Sequence, residues 1–469
     1  MAVRYKKFGK QEYAYRIWNE KNTTTGKWRQ RSEYLGVVVD KENRIFEKRR
    51  KNAEKKENQI LEYGDSYYLN AIIEQLPVVA LLGTVFKELF DTVMALVFHR
   101  IIVSGAMYNA RDWYDGNYVS KLFPNANMTS QNISKILSYL GEESVQRAFF
   151  DGYIPLVCPE GTGGVVIDST GLPNDIHMPI TDWGHHNGGI EYETRLILAV
   201  ERETEQPLYF RYVAGNIGDV STLTNTIAEM KYLGITTTSV LLDAGYFSET
   251  NLRLLFGAQI SFLIRMPSNR VIYREIILNH PDIESGEHAV IYNKRALFVK
   301  EQEIDIYGHK AFAYLVLDPE RRGREISNLI SKKDENKESF LQADFSNCGK
   351  MVLLSYEQLE KNSVVPLYYT RQIAERMFGI AKDDLSILPL RTHSEPNFRG
   401  FMFLVFVSLI LSSAIKKRLE NTSVDKALSI LKSLKCKVYN NSIVPYEVNK
   451  RQRLLFEDSC ILVPNVRGI

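Results

Sequence analysis

Cysteine is scarce in this 469-residue chain: there are four, Cys158, Cys348, Cys436 and Cys460, far apart and with no CxxC pair. That excludes a disulfide framework and a zinc ribbon, and lone thiols of this kind fit a reducing cytosol. Low-complexity tracts and internal repeats are absent. With 45% hydrophobic and 25% charged residues, the chain is neither disordered nor fibrous. No apolar stretch follows the basic N-terminus, Met1 to Lys10, so no secretory signal is expected. The most apolar run, Gly400 to Ile415, is about 16 residues long and ends in Lys416, Lys417 and Arg418. It falls short of the roughly 20 residues needed to span a bilayer, and a buried helix is expected there. No GxxxxGK[ST] loop occurs, and Gly161-Thr-Gly-Gly164 precedes an apolar strand instead of following one, so no nucleotide cofactor is expected. What remains is a cytoplasmic chain without a membrane segment, long enough for two or three packed units.

Charge is present but unevenly placed. Residues 1–60 carry 17 Lys and Arg against 8 Asp and Glu, whereas the whole chain nets only +3. A basic arm before a mildly acidic body suits a polyanionic partner, although a solvated charged surface would have the same composition. Tyr13 to Trp18 and Gln30 to Gly36 flank Asn22-Thr-Thr-Thr-Gly26 and predict a hairpin. Lys27, Arg29 and Arg31 alternate along its second arm and would share one face. Lys41 to Lys56 predicts a charged helical link, and residues 70 to 150 have helical periodicity.

From Gly161 the texture changes. Val165 to Asp168, Thr194 to Val200, Pro207 to Val213, Ser239 to Asp243 and Ile260 to Ile264 predict five strands. Helices are expected at Ser221 to Leu233, with Ser221 as N-cap, and at Ser248 to Phe256. Three strands before the helical crossovers predict an α/β fold with a mixed five-stranded sheet and helices on both faces. Residues 270–355 are strand-like and then charged, as in an insertion, and helices resume at Pro366 and from Asn397 to Leu419.

Asp168 and Asp243 each end an apolar strand, the edge where α/β sheets build their sites. Two carboxylates about 4 Å apart repel by ~4 kcal/mol at an effective dielectric of ~20, and a divalent cation offsets that repulsion. The alternative is that each Asp caps a turn. On a helix beginning at Pro366, Tyr368, Arg371, Glu375 and Lys382 fall within an arc of about 60°, opposite Ile373, Ala374, Met377, Ile380 and Ala381. Arg and Lys suit phosphate and Glu suits a metal, while a solvated face with incidental salt bridges is the alternative. His177, His185 and His186 lie in a Gly-containing polar loop with no zinc-ligand spacing, and Asp168-Ser-Thr-Gly171 lacks the second Asp of aspartyl-phosphate enzymes.

The spacing Y-x2-R-x3-E-x6-K, met by Tyr368, Arg371, Glu375 and Lys382, resembles the signature of DDE transposases of the IS-four superfamily, which move bacterial insertion sequences. Val166-Ile-Asp168-Ser-Thr, Leu242-Asp243-Ala-Gly-Tyr-Phe and Gly215-Asn-Ile-Gly-Asp219 resemble neighbouring segments of that family, as does Gln30 to Gly36 in one of its branches. The resemblance implies an RNase H-like catalytic core, residues 159–269 and 356–420, interrupted by a β-rich insertion, 270–355. A basic arm, 1–60, and a helical region for DNA binding or assembly, 61–158, would precede it, with a C-terminal region at 421–469. It further implies that Asp168, Asp243 and Glu375 hold two Mg²⁺ ions, with Mn²⁺ as substitute. Tyr368, Arg371 and Lys382 would grip DNA phosphates, alongside Lys27, Arg29 and Arg31 of the arm. The expected partners are the element's terminal inverted repeats and target DNA, bound by a homodimer acting at the bacterial nucleoid. Some relatives stack a displaced base on a Trp in the insertion; this chain has none there, and Tyr292 or Phe298 are the aromatic residues at hand. The rival functions are a nuclease on the same core that does not join strands, and a DNA-binding regulator with decayed catalysis.

Overall fold

Alternating apolar and polar residues near the N-terminus form strands, as their period of two requires. The computed structural model describes residues 2–8, 11–21, 28–47, 59–186, 189–336, 343–392, 394–419, 422–439 and 442–465. The chain divides into two compact units. One is built on the residues up to Ile60 together with Lys437–Val444, the other on Leu61–Cys436 and Pro445–Asn465.

In the smaller unit, β1 (Ala2–Phe8), β2 (Gln11–Lys21), β3 (Trp28–Asp40) and β4 (Ile45–Glu47) form an antiparallel sheet in that order. β2 and β3 are the arms of the expected hairpin, with Trp18 opposite Arg31 and Glu20 opposite Arg29. The hairpin turn and Lys27 lie outside the described residues. The expected helical link is corrected in its first part: Asp40 accepts the N–H groups of Glu42 and Asn43, making a turn, and β4 then pairs with β3. Helix-favouring charges yield there to pairing with an open strand edge.

A short strand, β5 (Gln59–Glu62), spans the boundary between the units, and seven α-helices follow in the larger one: α1 (Gly64–Ile73), α2 (Pro77–Phe86), α3 (Phe90–Ile102), α4 (Ala110–Gly116), α5 (Val119–Leu122), α6 (Ser130–Leu140) and α7 (Glu143–Val157). The large mixed sheet follows. Its first strands are β6 (Val165–Pro173), β7 (Asp182–His186), β8 (Gly189–Glu201) and β9 (Pro207–Ala214). After α8 (Asp219–Tyr232) comes β10 (Ser239–Leu242), and after α9 (Glu249–Gly257) comes β11 (Ser261–Met266). The strands run β9-β8-β6-β10-β11, with β6, β10 and β11 parallel and β8 antiparallel to both of its neighbours β6 and β9. Two expectations are corrected. Of the polar loop expected from Asp182 to Gly189, residues 182–186 are strand β7, paired to β8, and Gly189 opens β8; α8 begins at Asp219 with Gly218 as its N-cap instead of Ser221.

Residues 270–355 extend this sheet rather than standing apart from it. After α10 (Val271–Leu278), strands β12 (Ala289–Tyr292), β13 (Arg295–Ile306) and β14 (His309–Leu317) form a meander. α11 (Pro319–Asn336) and α12 (Ala343–Ser346) lead to β15 (Lys350–Ser355), which joins β14 to β11 antiparallel. The edge of β11 would otherwise present unpaired main-chain groups, and β15 covers it.

The expected single helix from Pro366 is two. α13 (Lys361–Tyr369) and α14 (Gln372–Gly379) meet at Thr370 and Arg371, and a π-type turn, Ile380–Asp384, follows. α15 (Glu395–Arg418) then crosses the unit. It has the length and composition of a membrane span, yet Phe398 to Ser413 are almost all buried, and it packs on α3, α6 and β9. A helix apolar on all sides belongs in such a core. The crossing with α6 is very close: a Cβ on Gly400 would lie 1.7 Å from the Leu137 carbonyl oxygen, so only glycine fits. α16 (Val424–Lys432), β16 (Lys435–Tyr439), β17 (Ser442–Pro445) and α17 (Lys450–Asp458) complete the described chain.

Candidate active site

Val165, Val166 and Ile167 are wholly buried at the centre of the sheet, and Asp168 follows them, itself buried. The expectation that Asp168 ends its strand is corrected: β6 runs on to Pro173 because β8 keeps pairing with it. On the neighbouring parallel strand Val240 pairs with Val165 and Leu241 with Val166. The same register carried on brings Asp243 level with Asp168. Strand geometry thus sets the two carboxylates side by side where β10 ends against the middle of β6.

Asp243 does not cap the turn that follows it with its carboxylate; Oδ1 instead accepts the Tyr368 hydroxyl at 3.2 Å. Tyr368 is buried, and burial, followed by the adjacent Asp243 charge, raises its pKa far above that of a free phenol. Asp168 accepts the Ser169 N–H at 2.9 Å on Oδ1 and Arg371 Nη1 at 2.8 Å on Oδ2. Burial pushes its carboxyl up to about 6, Asp243 and Asp219 push the same way, and Arg371 and the Ser169 N–H pull against them. Arg371 Nη2 donates to Glu375 at 2.6 Å, so one guanidinium joins the first acid to the third. Burial works against the charge on Arg371, but Asp243 and Asp168 outweigh it and raise its pKa.

The break between α13 and α14 makes this possible. Around Thr370 the main chain tightens, with Arg371, Ile373 and Ala374 each bonding to a carbonyl three residues back. After Gly379 it widens, and Leu385 bonds to Ile380 five residues back. Ile373, Ala374, Met377, Ile380 and Ala381 are buried, as the sequence pattern predicts. On the other face Glu375 is half-exposed, and Lys382 donates to the Thr170 hydroxyl at 2.7 Å. Burial lowers the pKa of Lys382 while Glu193 and Asp383 support its charge.

Asp168, Asp243, Glu375, Tyr368, Arg371 and Lys382 therefore converge on one sheet edge. No three Asp, Glu, His or Cys side chains among the described residues close into a ready metal cage. Arg29 and Arg31 are exposed on β3 in the smaller unit, where Arg31 also pairs with Glu20 at 3.0 Å. His185 and His186 fall on β7, and their side chains lie outside the described residues.

Two acids at this edge were not singled out from sequence. Asp219, in the first turn of α8, accepts the Ser169 hydroxyl at 2.5 Å and lies 3.5 Å from Arg195. Gly245 faces it so closely that a Cβ would stand 2.8 Å from Oδ2. The signal was available, since Asp219 ends the family-like segment that starts at Gly215, but a helix-starting Asp looks like an ordinary first-turn residue. Glu193 on β8 is fully buried in room left by Gly184 and Gly215. Burial raises its pKa, opposed by Arg195 and Lys382. A lone acid at a polar strand start carries no pattern to mark it. Nearby, Tyr292 of β12 stacks on Tyr369, with centroids 5.3 Å apart and planes 6° from parallel.

The family model for the transposase DDE domain matches residues 159–411, more than half of the chain. No curated protein matches the chain. Among solved structures, the cryo-EM structure of a piggyBac transposase synaptic complex with hairpin DNA is similar at 11% identity, with 79% of each chain covered and a TM-score of 0.39. Asp168, Asp243 and Glu375 all lie within the segment that the family model matches, and the chain belongs to the transposase DDE domain family.

Proposed function

We propose that the protein cuts DNA at the ends of an insertion sequence and joins the freed 3′ ends to target DNA, as a member of the IS-four superfamily. The observation that carries this reading is the Arg371 guanidinium spanning Asp168 and Glu375, with Tyr368 on Asp243. A motif spread over some two hundred residues meets as one hydrogen-bonded network. The strand order β9-β8-β6-β10-β11 supports reading the centre, residues 159–269 and 356–420, as an RNase H-like core with its insertion at 270–355.

DDE transposase domains generally use divalent metal ions. The donors fit such an ion: three carboxylates are hard oxygen ligands, and burial, with Asp243 and Asp219 close by, makes the charge on Asp168 costly, as its raised pKa reports. Asp168, Asp243 and Glu375 would hold two Mg²⁺, or Mn²⁺ in their place. When bound, the ions supply an activated water and stabilise the attacking and leaving oxygens of an in-line displacement.

The protein's own residues do the positioning. Arg371 neutralises the acids in the free protein, and on loading it exchanges them for a DNA phosphate, which its forked guanidinium suits. Lys382 places a second positive charge beside β6, and Tyr368 fixes the orientation of Asp243. Asp219 holds Ser169, whose N–H in turn orients Asp168. No side chain forms a covalent intermediate; catalysis rests on orientation and charge neutralisation. The arm at 1–60 and the helices at 61–158 would contact DNA and assemble a homodimer on the terminal repeats, in the bacterial cytoplasm at the nucleoid.

The test is a labelled duplex carrying the element's end, incubated with Mg²⁺ and a second duplex. Nicking followed by joined product is expected. Nicking without joining would favour a nuclease, and binding without nicking a regulator.

A further inference from the structure

A cavity of about 850 Å³ opens in the larger unit between α3, the start of α6 and the stretch from Ser386 to Phe401. That volume lies within the range of roughly 300–1,000 Å³ typical of small-molecule sites. Its charge is one-sided. Arg100 and Arg391 line it, and no Asp or Glu does among the described residues.

Arg100 is the unusual member. It is 4% exposed, yet among the described residues its guanidinium meets only the Leu385 carbonyl at 3.1 Å, the Ser386 carbonyl at 3.4 Å and the face of Phe401 at 4.9 Å as polar or cation–π partners. Among the described residues its Nε has no hydrogen-bond partner, and neither has the buried Thr392 hydroxyl on the same wall. A buried cation without a counter-ion is costly, and buried unpaired donors are rare enough that each calls for a partner. Burial, with Arg391 adding, lowers the pKa of Arg100 to about 10, the direction a missing anion would give. Ser130, the first residue of α6, and Ser394 and Asn397, at the start of α15, also line the cavity. Helix N-termini favour anions. Opposite the cations the wall is apolar, with Ile133 and Leu137.

We propose that this cavity binds a phosphate group borne on a nucleotide-sized body, with Arg100 and Arg391 gripping the phosphate oxygens and the apolar wall receiving the base. Two arginine forks, hydroxyls and two helix starts offer more donors than a carboxylate's two oxygens require, and phosphate uses them. The nucleotide comes either free from solution or as part of a DNA strand.

The experiment is calorimetric titration of the full-length protein with deoxyadenosine monophosphate, inorganic phosphate and deoxyadenosine. EDTA is present throughout, so that the carboxylate edge takes no part. The monophosphate should bind, and deoxyadenosine should bind at least about tenfold more weakly. Arg391→Ala, at an exposed position, and Ser134→Trp, which obstructs the rim, should each weaken the monophosphate by about tenfold or more. Arg100→Met should do the same if it folds, and the two surface variants decide the matter if it does not. Displacement of the monophosphate by a short duplex would identify a DNA strand as the source, whereas simultaneous binding would identify free nucleotide. Binding unaltered by Arg391→Ala and Ser134→Trp, no binding at all, or no advantage of the monophosphate over inorganic phosphate would overturn the proposal.

Discussion

Two arginines of the larger unit, Arg100 buried and Arg371 largely withdrawn from solvent, keep opposite company. Arg371 stands among acids, bonded to Asp168 and Glu375, with Asp243 and Asp219 close to the same edge. Arg100 has carbonyls and a phenyl ring, and the next charge it feels is another arginine. The same side chain is thus placed once where negative charge is in excess and once where positive charge is. On the proposed readings each region would be completed by a ligand of the missing sign: cations at the carboxylates, an anion in the helical cavity. Charge withdrawn from water is common to both, but only Arg100 lacks an opposite charge among the described residues.

The comparison breaks most sharply at the acids. Asp168→Asn should lower cleavage by roughly 10³-fold or more while gel shifts still report DNA binding. A nicking rate near wild type would remove Asp168 from the chemistry. Next in size is Arg371→Ala, which should cost about 10- to 100-fold in cleavage, since the guanidinium no longer grips a phosphate. Divalent-ion affinity measured by calorimetry on the free protein should hold or rise, because the carboxylates are no longer occupied by that side chain. Lys382→Ala should likewise spare ion affinity. If both variants lose it, the network is an internal ion-pair cluster and the phosphate role is wrong.

A smaller effect concerns pH. The folded-state pKa of Asp168 is raised from 3.8 to about 6, so the fold favours the protonated acid. Its stabilising contribution is full below the unfolded value and is lost as pH rises through about 6. Without metal, the Tm of the wild type should therefore fall between pH 4 and pH 7 relative to that of Asp168→Asn. Parallel Tm profiles would show that this carboxyl is not strained by burial. The smallest effect lies in the other unit. Lys27, Arg29 and Arg31 changed together to Ala should weaken DNA binding at every sequence. The salt dependence should flatten by about 0.9 log units for each phosphate that the arm no longer neutralises. Since Arg31 is already held by Glu20, Arg29→Ala should exceed Arg31→Ala. An unchanged salt slope would take the arm out of the interface.

The two halves of the site differ in how legible they were. Buried parallel strands are nearly continuous apolar runs, so β6 and β10 stand out by the runs that Asp168 and Asp243 close, although β6 itself continues to Pro173. The helical half gave the right face from the wrong helix. A tightened turn at Thr370 and a widened one after Gly379 shift the phase in opposite directions, so a uniform 3.6 period still places Tyr368, Arg371, Glu375 and Lys382 together. Asp219 and Glu193 are brought in by tertiary contacts with Ser169 and Gly184, which no local pattern encodes. β7 was hidden for a related reason: its Gly and His residues have no strand preference and pair only because β8 offers an edge. Arg100 gave no signal, because a cation within an apolar helix is indistinguishable in sequence from one reaching solvent.

The most direct measurement is cleavage and joining by Glu375→Gln. Glu375 is half-exposed and faces away from the buried stripe of α14, so the fold and DNA affinity should persist. Its charge is what the proposed ions require from the helical half of the site. With Mg²⁺ and a labelled duplex carrying the element's end, the variant should shift the duplex normally in a gel yet yield neither nicked nor joined product. Nicking at the wild-type rate would contradict the assignment of Asp168, Asp243 and Glu375 as one catalytic unit.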